Sequence, residues 1–398
     1  VEYIVIGISN HPHSVLPEGA MEIVPHYKVF SGGKRHYELV KEQLPEKHEW
    51  IDIRSDMPGL FRQYRARNED VVIFASGDPL FYGFAATIQK YDPGADMQIY
   101  PYFNSIQLLC HQLNFAYAHV VNTSIHGRSW EELDQALIKQ SQSIGVLTDG
   151  TKTPAAVAAR MLEYGFDNYA MYVGEDLEGT AGKIVFSEHI KDMTDYKAHT
   201  LNCVLLNKKS PKPASYGIPD NSFHGLEGRP NMITKMPVRM VSLAQLDLSA
   251  RRTFWDIGFC TGSVSIEARR QYPHLQIVAF EIRPECDALF EQNTRKHSTP
   301  GMTKVMGDFF AQDLAALPSP DAVFIGGHGN RLEALMKHLD QYLPAGAKVV
   351  INAVREDSIT QFTATAAQLQ YTLSAPMVIT VDSHNPITIL TAEKLYNE

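Results

Sequence analysis

Cysteine is scarce. The 398 residues hold four, Cys110, Cys203, Cys260 and Cys286, far apart and without a C-x-x-C pair. That spacing points to neither a zinc site nor a disulfide framework, so reduced thiols and no metal are expected. Long apolar runs are missing as well. No stretch approaches the roughly 20 residues that span a bilayer, and no basic-then-apolar leader is visible, so a cytoplasmic location away from membranes is expected. Basic runs interleaved with aromatics are absent, and the formal charge of −9 offers nucleic acid no general attraction. An anionic partner must therefore be held by local arginines and lysines.

What is present reads as a globular α/β protein, with 44% hydrophobic and 20% charged residues. The length exceeds what one hydrophobic core usually covers and predicts two domains. Lys208 to Pro219 is polar, proline-rich and aperiodic, and predicts the joint: domains at 1–207 and 220–398 with a linker at 208–219.

The most informative stretch runs from Phe254 to Glu267: an apolar strand, a glycine-bearing turn and a helix start. Gly258 and Gly262 let a ligand approach the main chain, and the helix presents free N–H groups. About twenty residues on, the strand Gln276–Phe280 ends in Glu281, a carboxylate placed to accept from both hydroxyls of a ribose. A dinucleotide fold has similar spacing, but the loop reads D-x-G-x-C-T-G with Asp256 at the strand end. An acid there disfavours a phosphate and suits a cationic ligand.

That order resembles the first motif of the seven-stranded S-adenosylmethionine (SAM) methyltransferases, D/E-x-G-x-G-x-G, with Cys260 standing at the middle glycine. The resemblance implies that Asp256, Gly258, Cys260, Thr261 and Gly262 surround the amino-acid end of SAM and that Glu281 takes its ribose. Gly307 and Asp308, which close the strand from Val305, would lie beside its adenine. S-adenosylhomocysteine would be the product.

In the N-terminal half, Tyr3 to Ile8 reads as a first strand. The loop Ser9–His13 follows, and its His11 and His13 lack a third ligand. Val29–His36 predicts a strand-to-loop transition in which Lys34 and Arg35 either meet carboxylates or sit in a solvated turn. A third strand, Val71–Ala75, leads through Ser76–Gly83 to a helix from about Phe84 to Lys90. The G-D-P-x-x-Y-G there resembles the tetrapyrrole methylase family. Pro101–Gln107, His126-Gly127-Arg128, Leu147-Thr148-Asp149 and Val173–Leu177 extend the likeness to the C5-methylating subfamily of cobalamin biosynthesis, over about residues 3 to 206. It implies a two-lobed fold with SAM between the lobes, Gly7, Gly77, Asp78, Pro79, Tyr82 and Gly83 at the cofactor, and Lys34, Arg35 and Arg128 at the substrate. The family's first loop, G-x-G-P-G, is here Gly7-Ile8-Ser9-Asn10-His11-Pro12, and only Gly7 matches.

Met232 to Arg239 resembles the M-T-K-x-x-V-R entry of the C15-methylating, decarboxylating corrin enzymes. Thr234 is expected to cap the following helix, with Pro237 in its first turn and Lys235 and Arg239 on one face. Two cations on one face suit a polycarboxylate or form a solvated pair. Gly326-Gly327-His328-Gly329-Asn330-Arg331-Leu332 resembles the I-G-G-x-G-x-x-L of the same enzymes, which places Gly326, Gly327 and Arg331 at the substrate. His328 is either a proton carrier or a loop histidine. The combined resemblance implies a C-terminal Rossmann-like methyltransferase fold, a tetrapyrrole substrate and a homo-oligomer. A rival reading keeps the C-terminal half active and leaves the other half to bind SAM or a tetrapyrrole only.

Overall fold

The computed structural model describes residues 1–13, 16–212, 216–382 and 385–395. It divides into two compact units. One comprises Val1–Ser129, Gln142–Ala159 and Asp167–Ser210; the other comprises Trp130–Ser141, Arg160–Phe166 and Pro211–Glu398.

The first unit holds two five-stranded sheets. Strands β1 (Tyr3–Ile8), β2 (Val29–Gly32), β3 (Glu49–Asp52), β4 (Val71–Ser76) and β5 (Met97–Tyr100) form a parallel sheet in the order β3-β2-β4-β1-β5. Every residue of β1 is buried because both faces are covered: Tyr3 and Val5 pack to one side, Ile4, Ile6 and Ile8 to the other. Strands β6 (Val120–Ser124), β7 (Ser143–Leu147), β8 (Tyr169–Glu175), β9 (Lys183–Ser187) and β10 (Asn202–Lys208) follow as β6-β7-β10-β8-β9, with only the β6–β7 pair parallel.

The second unit is built on β11 (Thr253–Ile257), β12 (Gln276–Glu281), β13 (Thr303–Met306), β14 (Ala322–Ile325), β15 (Lys348–Ala353), β16 (Tyr371–Leu373), β17 (Met377–Ile379) and β18 (Ile387–Lys394). The order is β13-β12-β11-β14-β15-β18-β16, and β17 pairs with β18 as well. β16 meets residues 392–394 of β18 and β17 meets 387–389, so one interrupted edge strand fills the seventh position. The chain leaves β11 toward β12 on one side and β14 on the other, and ligands of open α/β sheets bind outside strand ends at such a reversal.

Four local expectations change. The sheet of the first unit gains β3, whose four residues are mostly exposed or half-buried and carry no clean apolar pattern. Lys34 and Arg35 open a helix, Lys34–Val40, because Gly33 turns the chain into its first turn. Thr234 does not cap the helix Met236–Gln245. Lys235 occupies that position without a side-chain cap, and the Thr234 carbonyl instead accepts from Arg239 Nη1 at 2.8 Å. Within the expected linker, Lys208 completes β10, and the N–H groups of Gly217 and Ile218 each donate to the buried Glu267 carboxylate at 2.9 Å. Residues 213–215 lie outside the described residues.

Candidate functional sites at the strand ends

In the second unit two cavities flank Gly258 at the ends of β11 and β14. The larger, about 370 Å³, is lined by Lys235, Asp256, Gly258, Cys260, Thr261, Gly326 and Asn352, among others. Asp256 is fully buried, one residue before the end of β11. Its Oδ2 accepts from Ser265 Oγ at 2.5 Å and Ser265 N at 3.1 Å, while Oδ1 has no partner. Burial outweighs the two serine bonds and pushes its carboxyl up to about 7. Thr261 Oγ1 and Asn352 Nδ2 are also buried without partners. Three unsatisfied polar atoms on residues around one cavity are uncommon in a finished core and leave bonding capacity for a polar ligand or water.

Gly258 sits at φ +80°, and a Cβ there would lie 2.7 Å from Gly327 N. The main chains of the two strand ends thus touch, which only glycine permits. Gly258→Ala is expected to add about 1–2 kcal/mol of left-handed strain and to push the Gly327 turn away. A lower melting temperature together with SAM binding weakened at least tenfold in calorimetry would bear this out. Cys260, at φ +48°, holds a conformation that glycine takes freely; its N–H donates to Glu281 and its Sγ to Met232 O at 3.2 Å. Gly262 lies outside the lining and packs beneath Phe290.

The smaller cavity, about 130 Å³, is lined by Glu281, Arg283, Gly307, Asp308, Gly327, His328 and Arg331, among others. Glu281 is buried at the end of β12. It accepts from the N–H groups of Cys260, Ile282 and Arg283 at 2.9–3.0 Å and from Arg283 Nη1 at 3.1 and 3.3 Å. Asp308 pairs with Arg331 at 2.9 and 3.2 Å, and that bond lowers its pKa. Arg331 also lies over the Phe310 ring at 4.4 Å. Burial, then the nearby Arg355, lowers the pKa of His328, whose Nδ1 is buried without a partner. A neutral imidazole at pH 7 is suited to accept a proton.

Arg239 is not at either cavity. It is fully buried, with Nε 3.2 Å from Glu267 Oε2, Nη1 3.3 Å from Asp220 Oδ1 and Nη2 donating to Ile218 O. Glu267 is itself buried and needs a cation, so the expected substrate-binding role gives way to a structural one. The shared face with Lys235 fails because Lys235 is extended, ahead of the first helical turn.

In the first unit a cavity of about 610 Å³ brings together Arg35, Gly77, Asp78, Tyr82, Gly83 and Arg128. Asp78 Oδ1 accepts from Leu80 N at 2.9 Å and shapes the turn. Arg128 lies over the Tyr82 ring at 5.3 Å. Gly7, Pro79 and Lys34 do not line it. A Cβ on Gly7 would be 2.0 Å from Gly77 O, so this glycine lets β1 and β4 end side by side. The Pro79 carbonyl caps the next helix by accepting from Ala85 N, and Lys34 points to solvent at a helix start. The unusual first loop is tied down by acids from the chain after β8: Ser9 Oγ donates to Glu178 at 2.7 Å and Asn10 Nδ2 to Asp176 at 2.6 Å. Arg35 reaches Asn10 Oδ1 and Ser76 Oγ, and His36, held neutral by burial with a pKa of about 4, lies 2.9 Å from the same Ser76 hydroxyl.

The chain is 30% identical over 361 residues to the precorrin-6Y C(5,15)-methyltransferase (decarboxylating) of Sinorhizobium sp, covering 89% of this chain and 84% of that protein. It belongs to the precorrin-6Y C5,15-methyltransferase family. Two family models match this family member, one for tetrapyrrole (corrin/porphyrin) methylases at residues 15–193 and one for a precorrin methyltransferase domain at 228–392. In Salmonella typhimurium, a cobalt-precorrin-7 C(5)-methyltransferase is 28% identical over 177 residues, covering 44% of this chain and 84% of that protein. A cobalt-precorrin-6B C(15)-methyltransferase (decarboxylating) from the same organism is 31% identical over 134 residues, covering 34% and 68%. Among the described residues no helix is long and apolar enough to cross a membrane.

Sequence reasoning missed Asn352, His36, Arg283 and the acids Asp176 and Glu178. Asn352 sits in a strand whose apolar pattern gave no reason to single it out, and only its unsatisfied amide reveals it. Arg283 stands two residues after Glu281, a position from which a long side chain returns to its neighbour's carboxylate.

Proposed function

We propose that the chain uses SAM to methylate a precorrin at C5 and C15 and promotes loss of the ring C acetate as carbon dioxide, in cobalamin biosynthesis. Residues 1–207 would serve C5 and residues 220–398 C15. The observation that carries this reading is the buried Asp256 carboxylate with one unsatisfied oxygen beside a glycine-lined cavity. It fits the ammonium of SAM and would repel a pyrophosphate.

Bound SAM supplies a sulfonium methyl that needs no further activation. The protein's part is alignment and exclusion of water. In the C-terminal unit Asp256, Gly258, Cys260 and Thr261 hold the amino-acid end, and Glu281, Gly307 and Asp308 the adenosyl end. Gly326 and Gly327 give a flat macrocycle an approach free of side chains, and Lys235, half-buried at the cavity, meets its carboxylates. His328 is the candidate proton acceptor. Carbon dioxide leaves when the acetate C–C bond breaks and its electron pair enters the conjugated ring; a solvent proton completes the new methyl. In the N-terminal unit Gly77, Asp78, Tyr82 and Gly83 frame the cofactor, while Arg35 and Arg128 attract the polycarboxylate. The reading also includes a cytoplasmic, homo-oligomeric enzyme.

Calorimetry on the intact chain is expected to find two SAM sites. Asp78→Ala should remove or weaken one of them, lower C5 methylation at least tenfold and spare C15 methylation in product mass spectra. A single site in the wild type, insensitive to Asp78, would defeat the C5 assignment.

A further inference from the structure

Both carboxylates expected to receive the adenosyl group of SAM are covered by arginines. Glu281 has only 1% of its side chain exposed and takes five donor contacts, although a carboxylate offers roughly four lone-pair directions. Three of those donors are backbone N–H groups fixed by the turn after β12 and by the Cys260 loop. The Arg283 guanidinium is the one that can leave, since its side chain is 34% exposed and, among the described residues, is hydrogen-bonded only to that carboxylate. Asp308, 39% exposed, is bonded by both terminal nitrogens of Arg331, whose side chain is 47% exposed and also rests on the Phe310 ring. The cavity they line is about 130 Å³, against about 370 Å³ for its neighbour across Gly258.

We infer that Arg283 and Arg331 are a displaceable latch on the adenosyl end of the C-terminal site, which the cofactor's ribose and base must open to bind. The inference rests on the SAM reading above. The Arg283 guanidinium satisfies the buried Glu281 carboxylate, which would be costly left unpaired, and Arg331 pairs with the more exposed Asp308. Ribose hydroxyls then take over the Glu281 lone pairs that Arg283 vacates. Apparent affinity is the intrinsic affinity multiplied by the fraction of molecules with the latch open. Removing an arginine therefore strengthens binding although it deletes a donor.

The test is calorimetry and stopped-flow binding of S-adenosylhomocysteine, and of adenosine alone, to the full chain and to Arg283→Ala, Arg283→Gln and Arg331→Ala. Each alanine variant is expected to bind both probes roughly 2- to 5-fold more tightly at this site, with faster association, the scale set by an ion pair whose arginine is partly exposed. In a Glu281→Gln background the gain from Arg283→Ala should shrink toward nothing. Unchanged or weaker binding by variants with wild-type melting temperatures overturns the latch. Should Arg283→Ala fail to fold with Glu281 left unpaired, Arg331→Ala, which alters a surface pair, decides alone. Failure of the SAM reading looks different: the wild type itself would bind no S-adenosylhomocysteine at a site sensitive to Asp256→Asn.

Discussion

Arg239→Ala is expected to cost about 3–5 kcal/mol of stability, because it strands the Glu267 carboxylate in the core without its cation. Both side chains are fully buried, and Glu267 also anchors the main chain at Gly217 and Ile218. The loss therefore reaches the segment that enters the C-terminal unit. For a unit of this size the shift in melting temperature is roughly 2–4 °C per kcal/mol, or about 10 °C in all. Urea unfolding would show a lower midpoint. The KM for the precorrin, measured below the new melting temperature, should not move. A raised KM with unaltered stability would return Arg239 to the substrate. Combining Arg239→Met with Glu267→Gln should recover much of the loss, since apolar or neutral groups of like volume often replace a buried pair at little cost.

SAM binding at the C-terminal site is expected to weaken as pH falls through about 7, by nearly tenfold per unit once Asp256 is protonated. The ionised carboxylate is the form that pairs with an ammonium, so affinity is lost on the acid side. On the alkaline side the α-amine of the cofactor deprotonates at about 8, which gives a maximum between the two. Asp256→Asn should weaken binding roughly 10- to 100-fold near pH 7.5 and abolish the acid limb. Stability of the free protein runs the other way. Its folded pKa lies above the usual value of 3.8, so the folded state holds the proton more tightly, and Asp256 costs stability as pH rises from about 4 through 7. Asp256→Asn is then expected to melt higher than wild type at pH 8 while binding SAM less well. Calorimetry from pH 5.5 to 8.5 and melting curves at pH 5 and 8 measure both. An affinity indifferent to pH would remove Asp256 from the cofactor.

Part of the site is legible in the sequence. The turn D-x-G-x-C-T-G and the acid Glu281 are local features: a strand end, a φ that glycine favours and an acid at the next strand end each leave a short signature. Structure brings Asp256, Gly258, Cys260 and Thr261 to one cavity and Glu281, Gly307 and Asp308 to its neighbour. Gly77, Asp78, Tyr82 and Gly83 likewise share the N-terminal cavity with Arg35 and Arg128. Gly7, Pro79 and Gly262 belong to the same motifs but serve backbone packing, helix capping and ring packing.

By itself, the sequence determined the α/β class, the doubly covered strands, the family and the strand-end loops that carry ligand chemistry, because all of these rest on neighbours within a few residues. Only the tertiary structure decided which charges are free to act. Lys235 and Arg239 look equivalent along the chain, yet one lines a cavity and the other is buried against Glu267, 28 residues away. Glu281 and Asp308 look open, yet arginines cover both. A charged side chain's role is set by whether burial forces it to find a counter-charge, and its partner is chosen by the packing of helices and strands rather than by spacing in the chain.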